Sequence, residues 1–135
     1  MAWITPKVDW TSDDYINFTD YNRICNNLNW VKDEANELGF SYPDWEVMTL
    51  AEDYSSLPYP SMFNTMIDNY NLLDDIYPNF EPIEDVYTTN GYTITYETVN
   101  VLERNILLLD TVLSVAKANI PRLAIILGGN NKLKI

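Results

Sequence analysis

The sequence predicts a mainly α-helical domain: a bundle of three or four helices, two of them long and quasi-equivalent, with a small β element near residues 86–94 and 121–135. Apolar residues recur at spacings of three and four along two long segments, as on the buried face of a helix. An Asn90-Gly91 pair between runs rich in Thr and Tyr indicates a tight turn joining two strands. The length of 135 residues favours a single domain, 1–135.

Three parts follow one another in this prediction. Residues 1–16 lack helical periodicity and carry large side chains among polar ones, so we expect an N-terminal arm. Residues 17–120 should form the helical body. Residues 121–135 should form a C-terminal extended segment, which needs a partner strand because an isolated hairpin is only marginally stable.

The first long helix is predicted over residues 18–38. Asn17 is a suitable cap, Asp20 places an acid near the positive end, and Gly39 supplies a stop signal. The predicted buried face consists of Tyr21, Ile24, Leu28, Val31, Ala35 and Leu38.

Two further helices are predicted in the middle of the chain. Pro43 suits the first turn of a short helix, and a longer one should run from about Pro60 to Tyr77 before Pro78 closes it.

The second long helix is predicted over residues 95–120, with Thr95 as its cap and Pro121 as its end. Its predicted buried face consists of Val99, Leu102, Ile106, Leu109, Leu113, Ala116 and Ile120. Further apolar residues widen this face, so we expect this helix to be the more buried of the two long ones. These residues are Val101, Leu108, Val112 and Val115.

Asparagines recur in the two long helices at matching places. Asn22 and Asn27 are matched by Asn100 and Asn105, each at an offset of 78 residues. Asparagine is a mediocre helix former, so its return needs a compensating contact. We predict four structural amides that bond loop or connecting segments, each worth about 1–3 kcal/mol against leaving the buried group unpaired. A ligand-binding amide pair is the alternative.

The charge of the chain restricts its partners. Twenty acidic residues stand against 8 basic ones, for a net charge of −12. Nucleic acids and anionic membrane surfaces are therefore unsuitable partners, whereas a basic protein surface is suitable. No signal peptide is visible and the apolar runs are short, so we expect synthesis in the cytoplasm.

No residue pattern predicts catalysis, a metal site or a cofactor. The chain has no histidine, which removes the commonest base and metal ligand. Two acid pairs meeting in space as a glycosidase site, and a calcium loop at Asp68–Asp75, remain as alternatives. The single cysteine, Cys25, is predicted to be a buried small hydrophobe.

The stretch "TPKVDWTSDDYINFTDYNRICNNLNWV" resembles the start of small phage and prophage proteins of Gram-positive bacteria, in which W-x-x-x-D-[FY]-[FY]-N-x-x-D-[YL]-N-R-I-x-x-N precedes a helix. The ending "IPRLAIILGGN" is similar to their common close. Cys25 departs from the pattern, and residues 40–92 have no counterpart. The resemblance implies a structural component of a phage tail, baseplate or tail-like particle. It implies other tail or baseplate subunits, or copies of the chain itself, as partners.

We therefore expect a non-catalytic protein that acts by docking. Apolar residues in the arm, in a loop and in the C-terminal segment are predicted to contact partners; they are Trp3, Ile4, Trp10, Trp45, Leu123, Ile125 and Leu127. The alternative is a glycan-binding module at a tail tip that stacks sugars on Trp45, Tyr42, Tyr54 and Tyr59.

Overall fold

A computed structural model describes residues 2–14, 17–50, 60–83 and 95–126. The helices in these ranges are α1 (Phe18–Glu37), α2 (Pro60–Leu72), its one-turn 3-10 continuation (Leu73–Asp75), and α3 (Tyr96–Ile126). None of the residues in these ranges forms a β-strand. The prediction of a mainly α-helical fold is confirmed. Residues 86–94, where the predicted hairpin falls, lie outside the described ranges.

The first turn of α1 is held by the predicted cap. The Asn17 side chain accepts the backbone N–H groups of Thr19 and Asp20 at 3.0 and 3.1 Å, and the Asp20 carboxylate accepts the N–H of Asn17 at 3.1 Å. This reciprocal pair is a capping box, which satisfies donors that a helix leaves free at its start.

The last turn of α1 ends in a Schellman motif. The N–H of Phe40 donates to the carbonyl of Ala35, and the N–H of Gly39 donates to that of Asn36. This geometry requires a left-handed residue, and Gly39 has a φ of 100°. Glycine adopts that φ without strain, so the predicted stop signal has its physical cause here.

The core forms where α1 packs against α3 and, less extensively, against α2. The six residues of the predicted α1 face are all buried. On α3, the first five residues of the predicted face are buried as well; they are Val99, Leu102, Ile106, Leu109 and Leu113. Helical periodicity therefore located both contacting faces correctly.

The opposite side of α3 differs from the prediction. Leu107, Leu108 and Val115 are exposed, Val115 by 56%. Leu108 and Val115 belong to the residues predicted to widen the buried face of α3, and for these two the expectation is wrong. The other two residues of that set, Val101 and Val112, are half-buried and pack against the core, so the packing of α1 on α3 covers only part of the widened face.

Pro121 does not end the second long helix, because α3 continues to Ile126. A proline inside a helix removes one backbone hydrogen bond and is costly, but it does not forbid helical dihedrals. A helix of 31 residues retains its remaining bonds. The predicted extended segment at 121–135 is therefore helical over 121–126, and residues 127–135 lie outside the described part of the chain.

The short helix predicted from Pro43 does not form over residues 43–50, the part of that segment that the structure describes. The reason lies in α2. The Asn69 side chain accepts the N–H of Glu46 at 2.9 Å and donates to its carbonyl at 2.8 Å. The backbone of Glu46 is thus bonded to a distant side chain instead of to its own helical turn.

Candidate functional site

The arm, residues 2–14, forms neither helix nor strand and lies across α1 and α3. Two asparagines hold it. Asn27 of α1 accepts the N–H of Ile4 at 3.0 Å and donates to its carbonyl at 2.7 Å. Asn100 of α3 does the same to Trp10, with both bonds at 2.8 Å. We call this arrangement, a side-chain amide bonded to both backbone groups of one distant residue, an amide clamp.

An amide clamp works because a primary amide carries a donor and an acceptor side by side. It therefore offers one residue the same pair of bonds that an antiparallel strand offers. Asn69 clamps Glu46, and Asn71 clamps Ile83 with bonds of 2.9 and 2.6 Å. Helical asparagines thus bond irregular segments in a fold whose described part has no strands.

Glu103 of α3 is the centre of the arm contact, and it is completely buried. Its carboxylate accepts the Trp10 indole N–H at 2.5 Å and the Lys7 backbone N–H at 3.2 Å. Arg23 of α1 donates to the same carboxylate through Nε at 2.8 Å and Nη2 at 3.0 Å. One buried acid therefore joins the arm, α1 and α3.

The charge of Glu103 is balanced by Arg23, which also donates from Nη1 to Asp20 at 2.8 Å. Burial opposes the positive charge, but the bonds to Glu103 and Asp20 outweigh it and raise the pKa of the Arg23 guanidinium. The guanidinium carbon lies 6.0 Å from the centre of the Trp10 ring, within range of a cation–π attraction. A bidentate Arg–carboxylate pair is the geometry in which a buried ion pair is best compensated.

We call the surface formed by Asn27, Asn100, Glu103 and Arg23 the arm site. Trp10 of the arm contacts three of these residues, Asn100, Glu103 and Arg23. Pro6 is also buried, and Trp3 is half-buried against the core. Trp10 was predicted to contact a partner, and its 5% exposure shows that it is instead part of the core. Its burial follows from the partner that Glu103 provides for its indole N–H.

Of the two pairs of asparagines matched by sequence, Asn27 and Asn105 make different contacts. Asn100 clamps the arm, whereas its counterpart Asn22 lines a surface depression. Asn27 clamps the arm, whereas its counterpart Asn105 donates to the Tyr70 hydroxyl at 2.9 Å inside the core. At this second pair, similar positions on two helices therefore have different bonding partners.

The depression beside the arm has a volume of about 470 Å³. Ile4, another predicted partner contact, lies on its rim and is 45% exposed, and Leu50 is 53% exposed. The lining combines these apolar side chains with polar ones; it consists of Ile4, Thr19, Asn22, Arg23, Asn26 and Leu50.

The loop aromatics have partners within the chain. The Tyr42 hydroxyl donates to Asp75 at 2.8 Å, and the Trp45 indole donates to Asn29 at 3.2 Å. The Lys32 ammonium lies 5.6 Å from the centre of the Trp45 ring. Both rings are half-buried. The other two residues of the predicted sugar platform, at positions 54 and 59, lie outside the described ranges.

The remaining predicted contacts are in the C-terminal segment. Leu123 and Ile125 belong to the last turns of α3, and Leu127 lies outside the described part of the chain.

Within the described ranges, no three His, Cys, Asp or Glu residues are grouped so as to hold a metal ion. Cys25 is buried, and burial raises the pKa of its thiol to about 12. No described helix combines the length and the apolar composition needed to cross a bilayer.

Comparison of the chain with protein-family models, with curated proteins and with solved structures gave no match in any of the three. The arm site and the surface around it are therefore the features that bear on its function.

Sequence reasoning missed Glu103 and Arg23. Glu103 follows Val99 by four residues and precedes Ile106 by three, so it shares the face of two core residues. An acid at that spacing inside an apolar face indicates a buried carboxylate that needs a cation and further donors.

Proposed function

We propose that this chain is a non-catalytic structural or assembly protein of a phage tail, baseplate or tail-like particle, and that it acts by docking on other subunits. The observation that carries the docking proposal is the depression beside the arm, where Ile4 and Leu50 are about half exposed. Isolated exposed apolar residues are ordinary, but two that border one concave surface are typical of a protein contact.

The charge of the chain supports a partner with a basic face. The cations of Lys7, Arg23, Lys32 and Lys117 all pair with acids of the same chain. The net charge of −12 therefore leaves an excess of carboxylates at the surface. Complementary charge at the rim of an interface accelerates association and excludes acidic competitors, while apolar burial supplies affinity.

The assignment to a tail or tail-like particle is supported by the resemblance of the first 30 residues and of the ending to phage and prophage proteins. The residues that carry it include Trp10, Asn22, Arg23 and Asn27. Three of these, Trp10, Arg23 and Asn27, hold the arm against the helices. The motif residues therefore have a structural role, which is to fix the arm on the helices. A fixed arm is consistent with a protein that needs a defined docking surface.

The test is co-expression of the chain with the tail proteins encoded by neighbouring genes, followed by capture and by mass-spectrometric analysis of intact particles. Leu50→Asp should abolish capture and incorporation, because it places a charge in the contact. Val115→Asp is the matched control, since Val115 has similar exposure on the far side of α3. Equal capture of both variants would contradict docking at the depression.

The glycan-binding alternative gives a different outcome in the same system. Purified chain that binds cell-wall saccharides without any tail protein, and that loses this binding in Trp45→Ala, would replace the docking proposal.

A further inference from the structure

The arm is bound to the rest of the fold as a peptide ligand is bound to a receptor. Its polar contacts with the helices are the two clamps on Ile4 and Trp10, the bond from the Lys7 N–H, the bond from the Trp10 indole and a bond from Asn26 to the Ala2 carbonyl. None of these contacts depends on the covalent connection between the arm and α1.

The site is specific for one kind of segment. The clamps of Asn27 and Asn100 fix two backbone positions six residues apart in the chain, at Ile4 and Trp10. Glu103 then requires an indole N–H at the second position. Within the described chain, the segment that meets these requirements is the arm itself, so the occupant to expect from outside is the arm of a second copy.

An empty arm site would be costly. Without the arm, Glu103 keeps Arg23 but loses two donors, and Asn100 loses both partners. Trp10 would also be exposed to water. The arm of another copy restores every one of these contacts, so the exchange of arms between two chains changes few interactions.

The connection between the arm and α1 is suited to such an exchange. The Thr11 N–H and hydroxyl donate to the Asp14 carboxylate at 2.9 and 3.3 Å, and the Asp14 N–H donates to the Thr11 carbonyl at 3.0 Å. These bonds are at the surface, where water replaces them at little cost. The turn at residues 11–14 can therefore open at little cost in hydrogen bonding.

We propose that the arm site also works between chains: the arm of a second copy docks across α1 and α3, so that neighbouring copies are joined by exchanged arms. This proposal does not depend on the tail assignment, since it concerns the contact of the chain with itself. It differs from docking at the depression because the residues that carry it are Trp10, Asn100 and Glu103.

The experiment uses the full chain and a fluorescent synthetic peptide with the sequence of residues 2–12. In the Trp10→Ala variant the chain's own arm binds the arm site more weakly, while the arm site itself is intact. This variant should bind the peptide about ten-fold or more tightly than the unmodified chain does, as expected for loss of a buried tryptophan anchor from the competing arm. Trp10→Ala combined with Asn100→Ala damages the site and should lose the gain.

A peptide in which the tryptophan is replaced by alanine is the matched control and should bind about ten-fold or more weakly. Where Trp10→Ala does not fold, Ile4→Pro serves instead, because it removes the N–H that Asn27 accepts and leaves the arm site unchanged. The proposal would be overturned if a variant with a native circular dichroism spectrum bound the peptide no more tightly than the unmodified chain does.

The second measurement mixes two full-length copies with different tags. Capture of one tag should recover the other, and excess peptide should reduce that recovery. Peptide binding without any such recovery would restrict the arm site to its own arm and would also overturn the exchange. Leu50→Asp should leave recovery unchanged, which separates this result from docking at the depression.

Discussion

The side chain of Asn100 accepts the backbone N–H of Trp10 and donates to its backbone carbonyl, with both bonds at 2.8 Å. The two residues are 90 positions apart in the chain. One asparagine in the second turn of α3 thereby fixes the position of the arm's tryptophan, and the indole of that tryptophan reaches the buried Glu103.

Removal of this clamp should destabilise the fold. Asn100→Ala leaves two partly buried backbone groups of Trp10 without their partner, and we expect the free energy of unfolding to fall by about 1–3 kcal/mol. Urea unfolding followed by circular dichroism measures it. Asn119→Ala is the control, because Asn119 is exposed and, among the described residues, bonds to Val115 of its own helix. Equal midpoints for the two variants would contradict the clamp's contribution.

The buried ion pair of Arg23 and Glu103 should contribute more to the free energy of unfolding than a surface pair does. Glu103→Ala leaves Arg23 without the carboxylate that it contacts through Nε and Nη2. Removal of one partner of a buried pair typically costs about 3–5 kcal/mol. Asp33→Ala breaks the exposed Lys32–Asp33 pair and should change stability by less than about 1 kcal/mol. Similar unfolding midpoints for both variants would show that Glu103 is not buried as described.

The two amide clamps on α2 should each protect a separate segment from hydrogen exchange. Asn69→Ala should increase the rate of hydrogen exchange at the Glu46 amide, which then loses its acceptor. Asn71→Ala should do the same at the Ile83 amide. Each variant is the control for the other, and mass spectrometry or NMR measures both sites at once. Faster exchange at both sites in both variants would indicate general unfolding of α2 instead of local release.

Stability should fall in alkaline solution. Burial raises the pKa of the Cys25 thiol from 9.0 to about 12, and burial raises the pKa of the Tyr70 hydroxyl from 10.0 to about 12. The folded state therefore holds both protons more tightly than the unfolded state. Their contribution is complete below about pH 9 and is lost as the pH rises toward 12.

The measurement is the free energy of unfolding across that pH range, together with the rate at which a thiol reagent labels Cys25. Labelling should be slow in the folded chain and fast in urea, and Cys25→Ala should lessen the alkaline loss. Rapid labelling of the folded chain at pH 8 would contradict the burial of Cys25.

Asp110 should be replaceable by asparagine with a gain in stability at neutral pH. Its side chain accepts the Trp30 indole N–H at 3.0 Å, and desolvation raises the pKa of its carboxyl although that bond opposes the change. The folded state thus favours the protonated form, and its contribution is present below the unfolded value of 3.8 and lost above the folded value. Asparagine keeps the acceptor without the charge. The gain of Asp110→Asn should therefore be visible at pH 7 and absent well below pH 3.8. Asp44→Asn, at an exposed site, is the control and should change stability little at pH 7.

Local patterns in the sequence were sufficient for the helices and their contacting faces. The cap at Asn17, the stop at Gly39 and the buried face of α1 each depend on residues within a few positions of one another. Periodicity and capping rules describe such short-range physics. The same rules wrongly ended α3 at Pro121. They give the average cost of a proline inside a helix, and they do not take account of the other hydrogen bonds that hold a long helix together.

The arm site was beyond those rules because its members are far apart in the chain. Trp10, Arg23 and Glu103 meet only when the arm, α1 and α3 are assembled. The non-helical backbone at Glu46 was missed for a related reason, since the bonds that replace its helical turn come from Asn69. Asparagines inside helices were the useful signal, but the sequence alone did not show which segment each would bond.

The pairing of the arm with α3 also has a consequence for the order in which the chain acquires its structure. Residues 4–10 leave the ribosome long before residues 100–103, so the arm cannot dock during most of translation. Contacts between residues about 90 positions apart carry a large loop-closure entropy and form slowly. The helices α1 and α2 can therefore pair first, whereas the seating of Trp10 on Glu103 has to wait for α3. Until that step, each nascent chain presents a free tryptophan arm to its neighbours on the same message.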